Sequence, residues 1–228
     1  AWELLWRGVY RNHLTLQQAR NHPRGSMGNR IYIGGLAAIA APLAPLWALP
    51  VLLLGIVVTN TYLVFIAAAF GIVVTYPYIW PWVLGVGVAA AWPIWRWRGN
   101  PVDSIRGRLE VWRLCAAVMW HASWQEKLVG CGPGSFPAVA RWWVARKWTG
   151  QAYIQAHSDL VQVVFEYGLI GLLAVALWLA RVGQYAQWGD PLTGAFVAML
   201  VMAVAAFPSY LPAMAVPMLC VAAMLGAR

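Results

Sequence analysis

From Ile31 to Trp95 this chain carries no Asp, Glu, Lys, Arg or His. A soluble fold has no way to wet an uncharged run of that length, because polar side chains must cover most of a domain's water-facing surface. Across all 228 residues 62% are hydrophobic and 10% charged, where soluble domains carry about 25% charge. Several stretches approach the ~20 apolar residues that cross a bilayer as a helix. The pattern points to an integral membrane protein built of helices and sets aside a soluble bundle with a greasy core.

Proline divides the uncharged run at Pro42, Pro45, Pro50, Pro77, Pro81 and Pro93. Since proline ends or kinks a helix, residues 31–95 are read as four hydrophobic helices, at about 31–45, 46–59, 61–76 and 78–95. Trp80, Trp82, Trp92, Trp95 and Trp97 fall near their ends, where amphipathic rings favour the membrane interface. Within 1–30, residues 1–22 set Trp2, Leu5, Trp6, Val9 and Tyr10 on one helical face among arginines, as an interfacial helix or the tail of a truncated span followed by a loop. The segment 96–158 is the one long polar stretch. Within it Ile105, Leu109, Trp112, Ala116 and Met119 recur at helical steps, so 104–124 is expected to be helical. Glycine and proline break 130–137, and 138–148 suits a second short helix. Residues 159–228 give three more membrane helices, over about 160–182, 192–207 and 211–226. The chain opens at Ala1 without a signal-peptide pattern, and we expect it to be a piece of a longer protein with earlier membrane helices.

Net charge is +9, and all 16 basic residues except Arg181 and Arg228 lie in 1–30 and 96–147. With four helices between them, those two segments share one side of the membrane. The positive-inside rule would make that side cytoplasmic, although it weakens for loops of this length. Clustered arginine suits anionic headgroups or an anionic substrate. No nucleic-acid-binding motif appears, so nucleic acid is not an expected partner. Cys115, Cys131 and Cys220 fit no zinc or redox spacing. Cys220 reads as a small core residue, and a Cys115–Cys131 disulfide is the one pairing to consider.

Four features carry chemical possibilities. His157 stands where the polar loop meets an apolar helix; it is either an interfacial histidine or a proton acceptor near neutral pH. Asp159 and Glu166 lie close enough in sequence to orient it. Arg106-Gly107-Arg108 offers guanidinium forks, for phosphate or for snorkelling to headgroups. Gly132-Pro133-Gly134-Ser135 is either a plain loop or a turn whose N–H groups converge on an anion. Trp142, Trp143 and Trp148 suit sugar stacking or an interfacial belt. Asp159 and Glu166 make a poor glycosidase pair, being two turns or ~10 Å apart along one helix. The serine-hydrolase Gly-x-Ser-x-Gly signature is absent.

Taken together the blocks resemble the O-antigen ligase / O-antigen polymerase family of bacterial membrane proteins. One is Gly25-Ser26-Met27-Gly28-Asn29-Arg30, leading into the apolar run. A second joins Gly107-Arg108 and Trp112 to Gly130-x-Gly132-Pro133-Gly134-Ser135-Phe136. The third is His157-Ser158-Asp159-x-x-Gln162-x-x-x-Glu166-x-Gly168-x-x-Gly171. The likeness covers about residues 20–225, the C-terminal half of a typical member. It implies an all-α, polytopic, GT-C-like membrane bundle, with about seven spanning helices here and a long periplasmic loop containing short helices. It also implies residence in the bacterial inner membrane, with the site facing the periplasm. The implied reaction moves a glycan from undecaprenyl pyrophosphate onto an acceptor hydroxyl of a lipid, a glycan or a protein, with no metal and no cofactor. His157 would act on the acceptor hydroxyl with Asp159 or Glu166 orienting it. Arg108 would hold the pyrophosphate, supported by Arg106, Arg30 and Gln162. One departure stands out: where many members carry a Ser-Arg pair, this chain reads Thr59-Asn60-Thr61-Tyr62. That gap favours an alternative, a non-enzymatic membrane protein or transporter on the same fold.

Overall fold

A computed structural model describes residues 30–59, 61–83, 85, 101–138, 156–206 and 212–228. All regular structure among them is helical. Helix α1 is Arg30–Ala40 and passes into a 3-10 turn at Ala41–Leu43. Helix α2 is Leu49–Thr59 and α3 is Tyr62–Thr75, followed by a second 3-10 turn at Pro77–Ile79. The polar stretch supplies α4, Pro101–His121, and the short α5, Trp124–Val129. The last three are α6, Asp159–Gly183, α7, Pro191–Ala205, and α8, Pro212–Gly226.

The boundaries have local causes. Pro42 and Pro77 sit just past α1 and α3, where a missing N–H stops the ladder. Pro191 and Pro212 open α7 and α8, in a first turn whose N–H groups need no helical partner. At α5, Ser123 Oγ accepts from Glu126 N–H at 3.2 Å while the Glu126 carboxylate accepts from Ser123 N–H at 2.7 Å. At α7, Asp190 accepts from Thr193 N–H at 2.9 Å and pairs with Arg228 at 3.0 Å.

Helix length separates α6 from the rest. With 25 residues it is the one helix among those described that is long and apolar enough to cross a membrane. The other apolar helices have 11 to 15 residues, or at most ~22 Å against a hydrocarbon layer of ~30 Å. Among the described residues, then, one of the expected spans has that length. Around Pro42, Pro45 and Pro50 the helices expected at 31–45 and 46–59 shorten to Arg30–Ala40 and Leu49–Thr59. The expected helices over 1–22 and 138–148 lie outside the described residues, as does most of 78–95.

Two cores organise the molecule. The larger joins α1, α3, α7 and α8 through Ile39, Val64, Ala67, Phe196, Met199, Met202 and Met214. Small residues let α3 and α7 meet at their backbones. A Cβ on Gly71 would strike the Gly194 carbonyl, and one on Gly194 would strike that of Gly71. Such close seams are how helices pack without a hydrophobic drive between them. The smaller core gathers Val111 and Cys115 of α4, Phe136, Ala156 and Phe165 of α6. Phe136 and Phe165 meet edge to face, centroids 5.7 Å apart. This second core is what builds the candidate site.

Candidate functional site

Three segments far apart in sequence converge here. The first is α4. Val111 and Cys115 point into the small core, which turns Arg108 and Trp112, one helical turn apart, toward the start of α6. Arg106 lies exposed, off that line.

The second segment is the glycine turn. Gly130, Gly132 and Gly134 all have positive φ (79°, 98° and 70°), a region that costs other residues dearly. Phe136 then plugs the small core at 1% exposure. Ser135 N–H closes the turn on the Gly132 carbonyl at 3.2 Å, and Ser135 Oγ is buried without a hydrogen-bond partner among the described residues.

The third segment is α6, which breaks at Gly168 (φ 63°, ψ −155°). In a straight helix the carbonyls of Phe165 and Glu166 would accept from residues four further on. Here they accept from the glycine turn instead: Cys131 N–H reaches Phe165 O at 2.9 Å and Gly132 N–H reaches Glu166 O at 3.0 Å. The approach is so close that a Cβ on Gly130 would strike the Glu166 backbone. One on Gly168 would strike Gly130 N and Leu128 O. Two glycines facing each other are thus required for the turn to dock on the helix.

His157 sits just before this helix. Its φ of 55° makes it the one non-glycine residue with positive φ among those described, a conformation worth roughly 1–3 kcal/mol of strain. Its neighbours hold it there. Trp112 Nε1 donates to Ala156 O at 2.9 Å, and Ala156 N–H donates to Gln162 Oε1 at 3.1 Å. Gln162 Nε2 in turn donates to Glu166 at 3.0 Å. Ser158 caps α6, its Oγ accepting from Val161 N–H at 3.3 Å. Asp159 is buried in the first turn, where a carboxylate suits the helix dipole, and its N–H donates to Ala206 O at 2.9 Å.

The electrostatics favour a neutral imidazole, free to accept a proton at pH 7. Burial lowers the His157 pKa from its ordinary value, and the Arg108 guanidinium lowers it further. Burial also lowers Arg108, which stays cationic at neutral pH. Cys115 is pushed up to about 12 by burial, and Cys131 is raised for the same reason, so neither supplies a thiolate. All three cysteines are free thiols, so the Cys115–Cys131 disulfide is not formed. Among the described residues no group of three or more His, Cys, Asp or Glu gathers to hold a metal.

Of the residues singled out from sequence, His157, Asp159, Gln162, Glu166 and Arg108 come together. The Arg30 side chain lies outside the description. Gln162 was expected to touch substrate; it is buried and its amide is committed to Ala156 and Glu166. Glu166 reaches the histidine segment through Gln162. The role of Trp112 went unread, although its place one turn after Arg108 was the available signal. Compared with family models, curated proteins and solved structures, the chain matches none.

Proposed function

We propose that this chain belongs to a multi-pass membrane glycosyltransferase that moves a glycan from undecaprenyl pyrophosphate to an acceptor hydroxyl. The acceptor is a lipid, a glycan or a protein, and the site faces the periplasm of a bacterial inner membrane. One observation carries the reading: a half-buried, neutral-leaning histidine beside a half-buried arginine, at the head of the apolar helix. That juxtaposition suits a water-soluble hydroxyl meeting a lipid-borne phosphate.

The chemistry balances with these groups. His157 takes the proton from the acceptor hydroxyl as its oxygen bonds to the anomeric carbon. The bond from that carbon to the phosphate oxygen breaks, and its electron pair leaves with undecaprenyl pyrophosphate. Arg108 faces the growing negative charge, a fixed cation that needs no reorganisation. The imidazolium then returns its proton to solvent. Arg106 and Arg30 add positive potential that draws the anionic lipid in.

The test is transfer by the full chain in liposomes holding an undecaprenyl-pyrophosphate-linked glycan and its acceptor. His157→Ala should lose ~10²–10⁴-fold in rate, the usual share of a positioned base. Arg108→Ala should lose about 10²–10³-fold. Full transfer by both variants would refute the reading. Labelling of Cys131 from the cytoplasm alone would refute the periplasmic orientation. A second reading, a non-enzymatic membrane protein or transporter on the same fold, has the missing arginine around Thr61 in its favour. It expects no transfer by the native chain.

A further inference from the structure

We infer that Trp112 and Gln162 are positioning residues that grip the two polar atoms of Ala156 and so fix the turn that presents His157. Ala156 is wholly buried. Its N–H and C=O must therefore find partners inside the protein. Both partners are side chains: the Trp112 indole at 2.9 Å and the Gln162 amide at 3.1 Å. Gln162 is fixed by Glu166 at 3.0 Å, so the grip extends into α6. With the preceding residue held at both its N–H and its C=O, the chain enters His157 in one orientation, and φ at His157 is driven to 55°. Trp112 rides on α4 one turn past Arg108, so a single helix sets both the cation and the histidine turn. A Trp112 that served packing alone would need no donor aimed at a carbonyl 44 residues away.

The inference rests on the proposed transfer only in its kinetic arm. Trp112→Phe removes the donor and keeps a ring in the core; Gln162→Leu removes the amide. The structural arm treats the full chain in detergent micelles with diethyl pyrocarbonate over a pH series. Peptide mass spectrometry then follows His157 against the exposed His121. Either variant should raise the His157 modification rate roughly tenfold, the scale of one lost buried hydrogen bond. Its midpoint should move up toward the ordinary histidine value of ~6.5, while the modification rate of His121 stays as in the native chain. Unchanged rate and midpoint at His157 in both variants would overturn the inference. If Gln162→Leu fails to fold, Trp112→Phe decides alone. Hydrogen exchange of the native Trp112 indole decides as well: exchange as fast as a free indole overturns the grip. In the kinetic arm, Trp112→Phe lowers kcat and leaves KM for the lipid donor. A native chain that transfers nothing sinks the glycosyltransferase reading, while the modification arm still judges the grip.

Discussion

Replacing Gly168 with alanine tests the docking of the glycine turn on α6. The backbone there has φ 63° and ψ −155°, which only glycine occupies freely. Imposing it on alanine costs roughly 1–3 kcal/mol. The new Cβ would also strike Gly130 N and Leu128 O, so the turn must lift or α5 must shift. Lifting loses the Cys131–Phe165 and Gly132–Glu166 bonds, each worth about 1 kcal/mol. The two routes share one movement, so the expected loss is ~3 kcal/mol and not their full sum. At 1.4 kcal/mol per decade, that raises the lifted population about a hundredfold. The assay is maleimide labelling of Cys131, which is half-buried beneath the turn, with Cys115 as the buried reference. Gly168→Ala should label Cys131 on the order of a hundred times faster and melt earlier in detergent. Gly183→Ala, where a Cβ meets open space, should behave as the native chain. Native labelling and melting in Gly168→Ala would refute the facing-glycine contact.

Three further outcomes follow from the geometry. The His157 pKa is lowered on folding, so the native state binds fewer protons there than the unfolded chain. Its stabilisation is therefore present above the ordinary histidine value of ~6.5 and fades as pH falls through the lowered native value. Transfer should lose its base over that same acid limb, and Arg108→Gln should move the limb upward in a pH–rate profile. Gly194→Ala drives a methyl into Thr75 and the Gly71 carbonyl, and thermal unfolding should show a loss of about 1–3 kcal/mol. Ser135→Ala removes a buried hydroxyl that has no partner among the described residues, so unfolding should show stability unchanged or slightly raised. A loss of more than about 1 kcal/mol in that measurement would mean that the hydroxyl is satisfied in solution.

The sequence shows α6 plainly because its signals are local: a Ser158 cap, an acidic first turn and an unbroken apolar run. The period of α4 and the glycine-and-proline break at Gly130–Gly134 are local too. What could not be read there is the break at Gly168. A glycine between Tyr167 and Leu169 in an apolar run looks like a small step in a straight helix. Its partner, Gly130, lies 38 positions earlier, and no periodicity links them. Gln162 misled for a similar reason. An exposed amide and a buried one look alike in sequence, and only the fold shows that Ala156 consumes it. The prolines marked where the short helices divide, but apolar composition marks burial or lipid alike and did not show that α1 and α2 each stop at 11 residues.

The break at Gly168 also bears on thickness. The first turns of α6 bring Asp159, Gln162 and Glu166 into the protein, so they add length without adding apolar reach. From Gly168 to Gly183, where Leu169, Ile170, Leu173 and Leu177 face outward, the rise is roughly 23 Å. A lipid layer of ~30 Å around that segment exceeds it by several Å. With α6 crossing as proposed, the lipid relieves that mismatch by thinning locally. With the site at the head of α6 as proposed, thinning would bring the headgroup plane nearer to His157, and any phosphate carried on a lipid with it.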